Sequence, residues 1–206
     1  MKYKIKNLRK LTLLALVTQF IFISSCSSDG PVMEQPEQIY YDLAQRRMKA
    51  NNYFSAIEAL QAIETNYPFG RYAEQAQSEL IYAYYMNGED EASHEAAEKF
   101  IRLNPRHPNI DYAYFMRGIS SYTRDKGIFA RVFKRDLSDR DISGAKQAFG
   151  ELSEFLTRFP QSQYAPYASQ RLIYLRALIA KNELVVAEYY LRRKAYVAAL
   201  RRAKYV

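Results

Sequence analysis

Cys26 is the only thiol in the 206-residue chain, and it stands directly after Ile23-Ser24-Ser25 at the end of an apolar run. A thiol in that setting is suited to one covalent reaction, acceptance of a lipid on sulfur, with the small residues before it fitting a peptidase cleft. Other reactive side chains are sparse. His94 and His107 lie 13 positions apart in different elements, without the spacing of a triad or a ligand set, and read as structural. One Cys and two His are too few for a zinc site of the usual composition, and a lone Cys excludes an internal disulfide framework. The acids are scattered over helix faces and form no acid–base pair. There is no glycine-rich phosphate loop and no basic-aromatic nucleic-acid motif. The residue inventory therefore describes a binding protein rather than an enzyme, with no cofactor and no nucleic-acid partner.

The N-terminal elements must deliver Cys26 to a membrane. Residues 1–10 are basic, and Leu11 to Ile23 is an apolar run, too short to span a bilayer but right for the core of a secretory signal. Ile23-Ser24-Ser25-Cys26 resembles the bacterial lipobox. On that reading residues 1–25 are a lipoprotein signal peptide, and Cys26 carries an S-diacylglycerol and an N-acyl chain. Two or more chains anchor stably, at about 0.8 kcal/mol per buried methylene. Ser27, rather than Asp, favours release to the outer membrane, whose inner leaflet then holds the lipid. Residues 26–36 form the lipidated Cys and a flexible tether. The formal charge of +8 mostly belongs to the signal, because its loss leaves +3.

The body carries no strand-like alternation, and its apolar positions recur at helical spacing. They repeat as helix–turn–helix units of tetratricopeptide type. The first unit, about 37–68, has Tyr40, Leu43 and Ala44, a turn at Asn51-Asn52, then Ala56, Leu60, Ile63 and Pro68. The second, 74–105, follows 37 positions later with Leu80, Tyr84, the turn Asn87-Gly88, then Ser93, Ala97, Phe100 and Pro105. The third, 111–160, has Tyr114 and Gly118, then Ala148, Leu152, Phe155 and Pro160, with an insert of about 18 residues between its helices. The fourth, 165–206, is incomplete; Pro166 opens a helix without Gly or Pro to Lys194, and Tyr196-Val197-Ala198-Ala199 repeats Tyr53-Phe54-Ser55-Ala56. The fold class is all-α, a solenoid of about three and a half units over 37–206 with one continuous core. Ending inside unit four, it is expected to expose apolar surface there.

Particular turns then carry a family resemblance. FIRLNPRHPNIDY at 100–112, NYPFGRY at 66–72, LIYAYY at 80–85, DLSDRD at 136–141 and FPQSQY at 159–164 closely resemble segments of the BamD (ComL) family, lipoproteins of the outer-membrane β-barrel assembly machinery. Generic tetratricopeptide proteins share the helix pattern but not these turns. Family members have five units. The resemblance implies a non-enzymatic scaffold on the periplasmic face of the outer membrane of a Gram-negative bacterium. It also implies contacts with the POTRA domains of BamA, with BamC and BamE, and with unfolded β-barrel precursors.

That implied role directs attention to two sets of residues. A precursor ends in alternating aromatics and a terminal Phe carboxylate, so its receptor wants aromatic walls and a cation. Tyr67 and Phe69 flank Pro68, and Arg102 precedes the equivalent Pro105; these three are candidates for the substrate, unless they only staple units together. Residues 181–206 hold a net charge of +5 against about −2 for the rest of the mature chain. Arg192, Arg193, Arg201 and Arg202 are the candidates for a partner, with Arg202 lying where the family meets the last POTRA domain. A solvated helix face and anionic lipid are the other uses of such charge. The insert at roughly 124–142 alternates charges around Ile128, Phe129, Val132 and Phe133, and is either a docking element or a cover for unit three. A pilotin-type lipoprotein for secretin assembly would share lipobox and repeats but lack the quoted turns. A peptidoglycan-cleaving lyase would need a catalytic domain that no stretch here provides.

Overall fold

The computed structural model describes residues 36–124 and 142–204. These form eight helices: α1 (Glu37–Lys49), α2 (Tyr53–Asn66), α3 (Ala73–Asn87), α4 (Asp90–Leu103), α5 (Ile110–Arg124), α6 (Ser143–Arg158), α7 (Ala165–Arg192) and α8 (Tyr196–Ala203). Each packs on the next in chain order, and α3 also touches α5. This succession of antiparallel pairs is the tetratricopeptide-like solenoid that the repeat spacing predicts. The signal region with Cys26, the tether up to residue 35, and residues 125–141 of the insert lie outside the described residues.

The repeat is visible in the backbone of the turns. Tyr67, Asn104 and Phe159 end α2, α4 and α6 with nearly the same dihedrals (φ −132, −124 and −130°; ψ 55, 54 and 57°). In each case the N–H donates to the carbonyl four residues back, at 2.8 Å. All three precede a proline, which excludes the α conformation at the residue before it and so stops the helix there. The turns inside units one, two and four share a second device. Asn51, Gly88 and Lys194 adopt φ of 55, 83 and 60°, the left-handed region, and each is followed by the N-cap of the next helix. Glycine takes this conformation without penalty and Asn with little; Lys194 does so at a cost of about 1–2 kcal/mol. The reversal at Lys194 also explains why α7 stops at Arg192, two residues before the expected limit. At 28 residues it is still about 42 Å long.

Helix ends follow their side chains. The Asn52 side-chain oxygen Oδ1 caps α2 by accepting from the Ser55 N–H at 3.2 Å, and Pro166 occupies the first turn of α7. At the head of α3 the cap comes from another helix: the Glu37 carboxylate accepts from the N–H groups of Arg71 at 3.0 Å and Tyr72 at 2.6 Å. Gly70 makes room for it, since a Cβ there would collide with that carboxylate.

The small residues at the helix crossings are buried, with Ala56, Ser93 and Ala148 fully and Ala199 nearly so. Ser93 keeps its hydroxyl satisfied by bonding the Ile81 carbonyl at 2.9 Å and the Ser120 hydroxyl at 2.8 Å. One expectation needs correction. The core is two clusters, not one, and they meet back to back on α3. Ala76, Leu80 and Ala83 belong to the first with Ile57, Leu60 and Ile63; Ile81 belongs to the second with Phe100, Phe115, Leu152 and Phe155. Positions 76, 80 and 83 share one helical stripe, and 81 points about 100° away, so α3 is coated on two sides.

Candidate functional site

One surface feature set by these helices is a groove of about 630 Å³. It runs from the end of α1 (Met48, Lys49) across α3 (Ser78, Glu79, Tyr82) and α5 (Asp111, Tyr112) to Gln163 and Tyr164 at the foot of α7. Tyrosine makes its walls. Tyr53 meets Tyr82 edge-on at 6.0 Å, and Tyr112 leans on Tyr164 at 5.8 Å. Burial pushes the hydroxyls of Tyr82 and Tyr112 up from their usual pKa, and the Tyr53 hydrogen bond adds to the shift at Tyr82. They stay neutral donors throughout the physiological range. The acids of the groove are already engaged. Glu79 accepts from the Tyr41 hydroxyl (2.9 Å), Gln45 (2.6 Å) and Gln75 (2.8 Å), and burial with that bond pushes Tyr41 up to about 12. Asp111 accepts from the Ser162 hydroxyl at 2.6 Å. Lys49 supplies a cation on the rim. Neutral aromatic walls, amide groups and one ammonium suit an extended peptide with aromatic side chains.

Tyr67, Phe69 and Arg102 are not the walls of this groove. Tyr67 is half-buried and leans on Tyr40 at 6.4 Å, within the first core. Phe69 projects from the α2–α3 turn with 99% of its surface exposed, and Arg102 is exposed on the last turn of α4. The tyrosines that do line the groove sit one or two per element, so no local motif announces them among the chain's 19.

The second surface lies at α8. A groove of about 660 Å³ brings together Tyr190, Lys194, Tyr196, Val197, Arg201 and Arg202. Tyr196, Val197 and Leu200 are more than half exposed. The four candidate arginines divide. Arg201 is exposed in the groove, Arg192 is exposed at the end of α7, and Arg193 lies over the Tyr189 ring at 4.8 Å. Arg202 is tied inward: its Nη1 donates to Glu183 at 3.0 Å, and Lys146 Nζ donates to the other carboxylate oxygen at 2.8 Å. Glu183 is 1% exposed, while both cations keep nearly half their side chains in water. The triad joins α6, α7 and α8. Those hydrogen bonds, led by Lys146 and opposed by burial, hold the Glu183 carboxyl below the ordinary Glu range.

The described helices and their two grooves define a tetratricopeptide-like helical-repeat protein. Residues 33–206 match the YfiO family, described as outer membrane lipoproteins, and the chain belongs to this family. Proteins named outer membrane protein assembly factor BamD are its relatives. The one from Vibrio cholerae is 36% identical over 193 residues, covering 94% of this chain and 80% of the relative. That from Neisseria gonorrhoeae is 34% identical over 200 residues (93% and 74%), and that from Xylella fastidiosa strain Temecula1 is 37% identical over 201 residues (94% and 67%). The protein is an outer membrane lipoprotein of the BamD family. Among the described residues no helix is long and apolar enough to cross a membrane.

Proposed function

We propose that the protein is a non-enzymatic scaffold of outer-membrane protein assembly, held to the inner leaflet by lipid on Cys26. In this reading it receives the aromatic ends of unfolded β-barrel precursors in the tyrosine groove and docks BamA POTRA domains at α8. The tyrosine-walled groove across α1, α3 and α5 carries the proposal, and the relatives' name as assembly factors agrees with it. The test is binding of a labelled peptide with alternating aromatics and a terminal Phe carboxylate to the full chain. Tyr82→Ser, at a position 40% exposed, should raise Kd about tenfold, which is roughly 1.4 kcal/mol, with helicity unchanged. An equal Kd would remove the groove from the proposal.

The docking edge has its own observation, the exposed Arg201 beside Tyr196 and Val197. A rim charge acts mainly on encounter, so Arg201→Glu should slow association with soluble POTRA domains by about tenfold at low salt, with the difference shrinking as salt rises. Association rates that match the parent at low salt would place the POTRA contact elsewhere. Arg201 is the informative position because a change at Arg202 would also disturb Glu183.

A further inference from the structure

Away from both grooves, two helices that are not neighbours in the stack reach toward each other with pairs of ligating side chains four residues apart. α4 presents His94 and Glu98, and α6 presents Gln147 and Glu151. His94 Nε2 lies 2.9 Å from Glu151 Oε1, and the Gln147 amide nitrogen lies 3.0 Å from the same oxygen and 3.3 Å from the imidazole nitrogen. One ligand atom from each of His94, Glu98 and Glu151 falls within 4.8 Å of the others. His94 is buried, and Glu151 is anchored through its second oxygen by the Ser121 hydroxyl at 2.7 Å. An outer-shell donor of that kind is what orients a ligating carboxylate.

We propose that His94, Glu98 and Glu151, with the Gln147 amide oxygen as a fourth donor, form a site for a divalent transition ion. One imidazole and two carboxylates suit zinc among the common ions. Tetrahedral zinc with bonds of about 2.0–2.2 Å holds its ligand atoms roughly 3.3 Å apart. The His94–Glu151 pair is already near that spacing, and Glu98, which is exposed, closes the set by a side-chain rotation. Turning the Gln147 amide by about 180° places oxygen where nitrogen now faces imidazole nitrogen, and the two orientations have the same shape. The ion joins the second helix of unit two to the second helix of unit three and so fixes the angle between the units.

The full-length lipidated chain in detergent, stripped with EDTA and titrated with zinc chloride, tests this. Calorimetry should show saturable binding to one site, and the melting temperature should climb with zinc concentration. Glu98→Gln should weaken zinc at least tenfold while leaving the zinc-free melting temperature unchanged. Cobalt substitution should give visible bands that His94→Gln removes. Lack of saturable binding would overturn the site and leave a His–Glu hydrogen bond. Undiminished affinity in Glu98→Gln would also overturn it, because the ion would then lie elsewhere.

Discussion

Replacing Lys146 and Arg202 together with Met should cost about 3–5 kcal/mol at neutral pH, because it strands the Glu183 carboxylate in a dry site. In the native protein that carboxylate is 1% exposed and is neutralised by two cations whose heads remain half in water. Its pKa is held down by those cations, which fixes the sign of the acid response. The stability from the triad is fully present above the unfolded Glu value near 4.3, and is lost as pH falls through the lower folded value. The double variant should do the opposite. Without its cations the buried carboxyl titrates above the ordinary range, so mild acid neutralises it and restores stability. Urea denaturation from pH 7 to pH 4 separates the two. A double variant that matches the parent at pH 7, or that weakens in acid in step with it, would show that the triad does not hold α8. Replacing all three residues with Met should be close to neutral, since an apolar trio of similar volume removes the desolvation penalty along with the attraction.

Gly118→Val should be comparably damaging for a steric reason. A Cβ at Gly118 on α5 would lie 2.7 Å from both Cγ and Cδ2 of Leu152 and 3.3 Å from its backbone nitrogen. Leu152 is fully buried among Phe115 and Phe155, and its backbone belongs to α6, so neither side chain nor helix can retreat freely. Even Gly118→Ala, which gains about 0.8–1 kcal/mol of helix propensity, should be destabilising on balance, because overpacking costs about 1–3 kcal/mol. The branched variant should lose roughly 3 kcal/mol or more. Pairing Gly118→Ala with Leu152→Ala distinguishes a clash from a general loss of packing: the double variant should be less damaged than the two singles added together. Strict additivity, or a Gly118→Val protein that melts with the parent, would contradict the close crossing of α5 and α6.

Both results turn on contacts of very different legibility. Helix stops at Pro68, Pro105 and Pro160, the Gly88 turn and the 37-residue offset were readable, because each is a backbone property expressed within a few residues. Gly118 and Ala148 were likewise placed by the repeat register, although the clash that a side chain at Gly118 would meet is visible only in the structure. The Glu183 triad was not: its partners are 37 and 19 positions away, and no local pattern distinguishes this Glu from the exposed ones. Arg202, read as a docking cation, spends one guanidinium nitrogen on that carboxylate. His94 read as structural, and its bond to Glu151 was hidden because that residue stands 57 positions further on, across the insert. Groove-facing tyrosines escaped for a related reason. A surface assembled from the edges of several helices takes a single tyrosine from each, whereas Tyr67 and Phe69 flank one proline and stand out together in the sequence.

The bond from Glu37 to the head of α3 bears on how the body takes a load. Tension applied along the chain at Pro36 enters α1 one residue before this carboxylate. Two hydrogen bonds to the Arg71 and Tyr72 amides, backed by the stacking of Tyr41 on Tyr72 at 4.4 Å, pass the pull directly into unit two. The first helix is therefore shackled at its leading end, where a plain stack of repeats would begin to peel. Gly70, by leaving room for the shackle, contributes to tensile strength through the side chain it lacks.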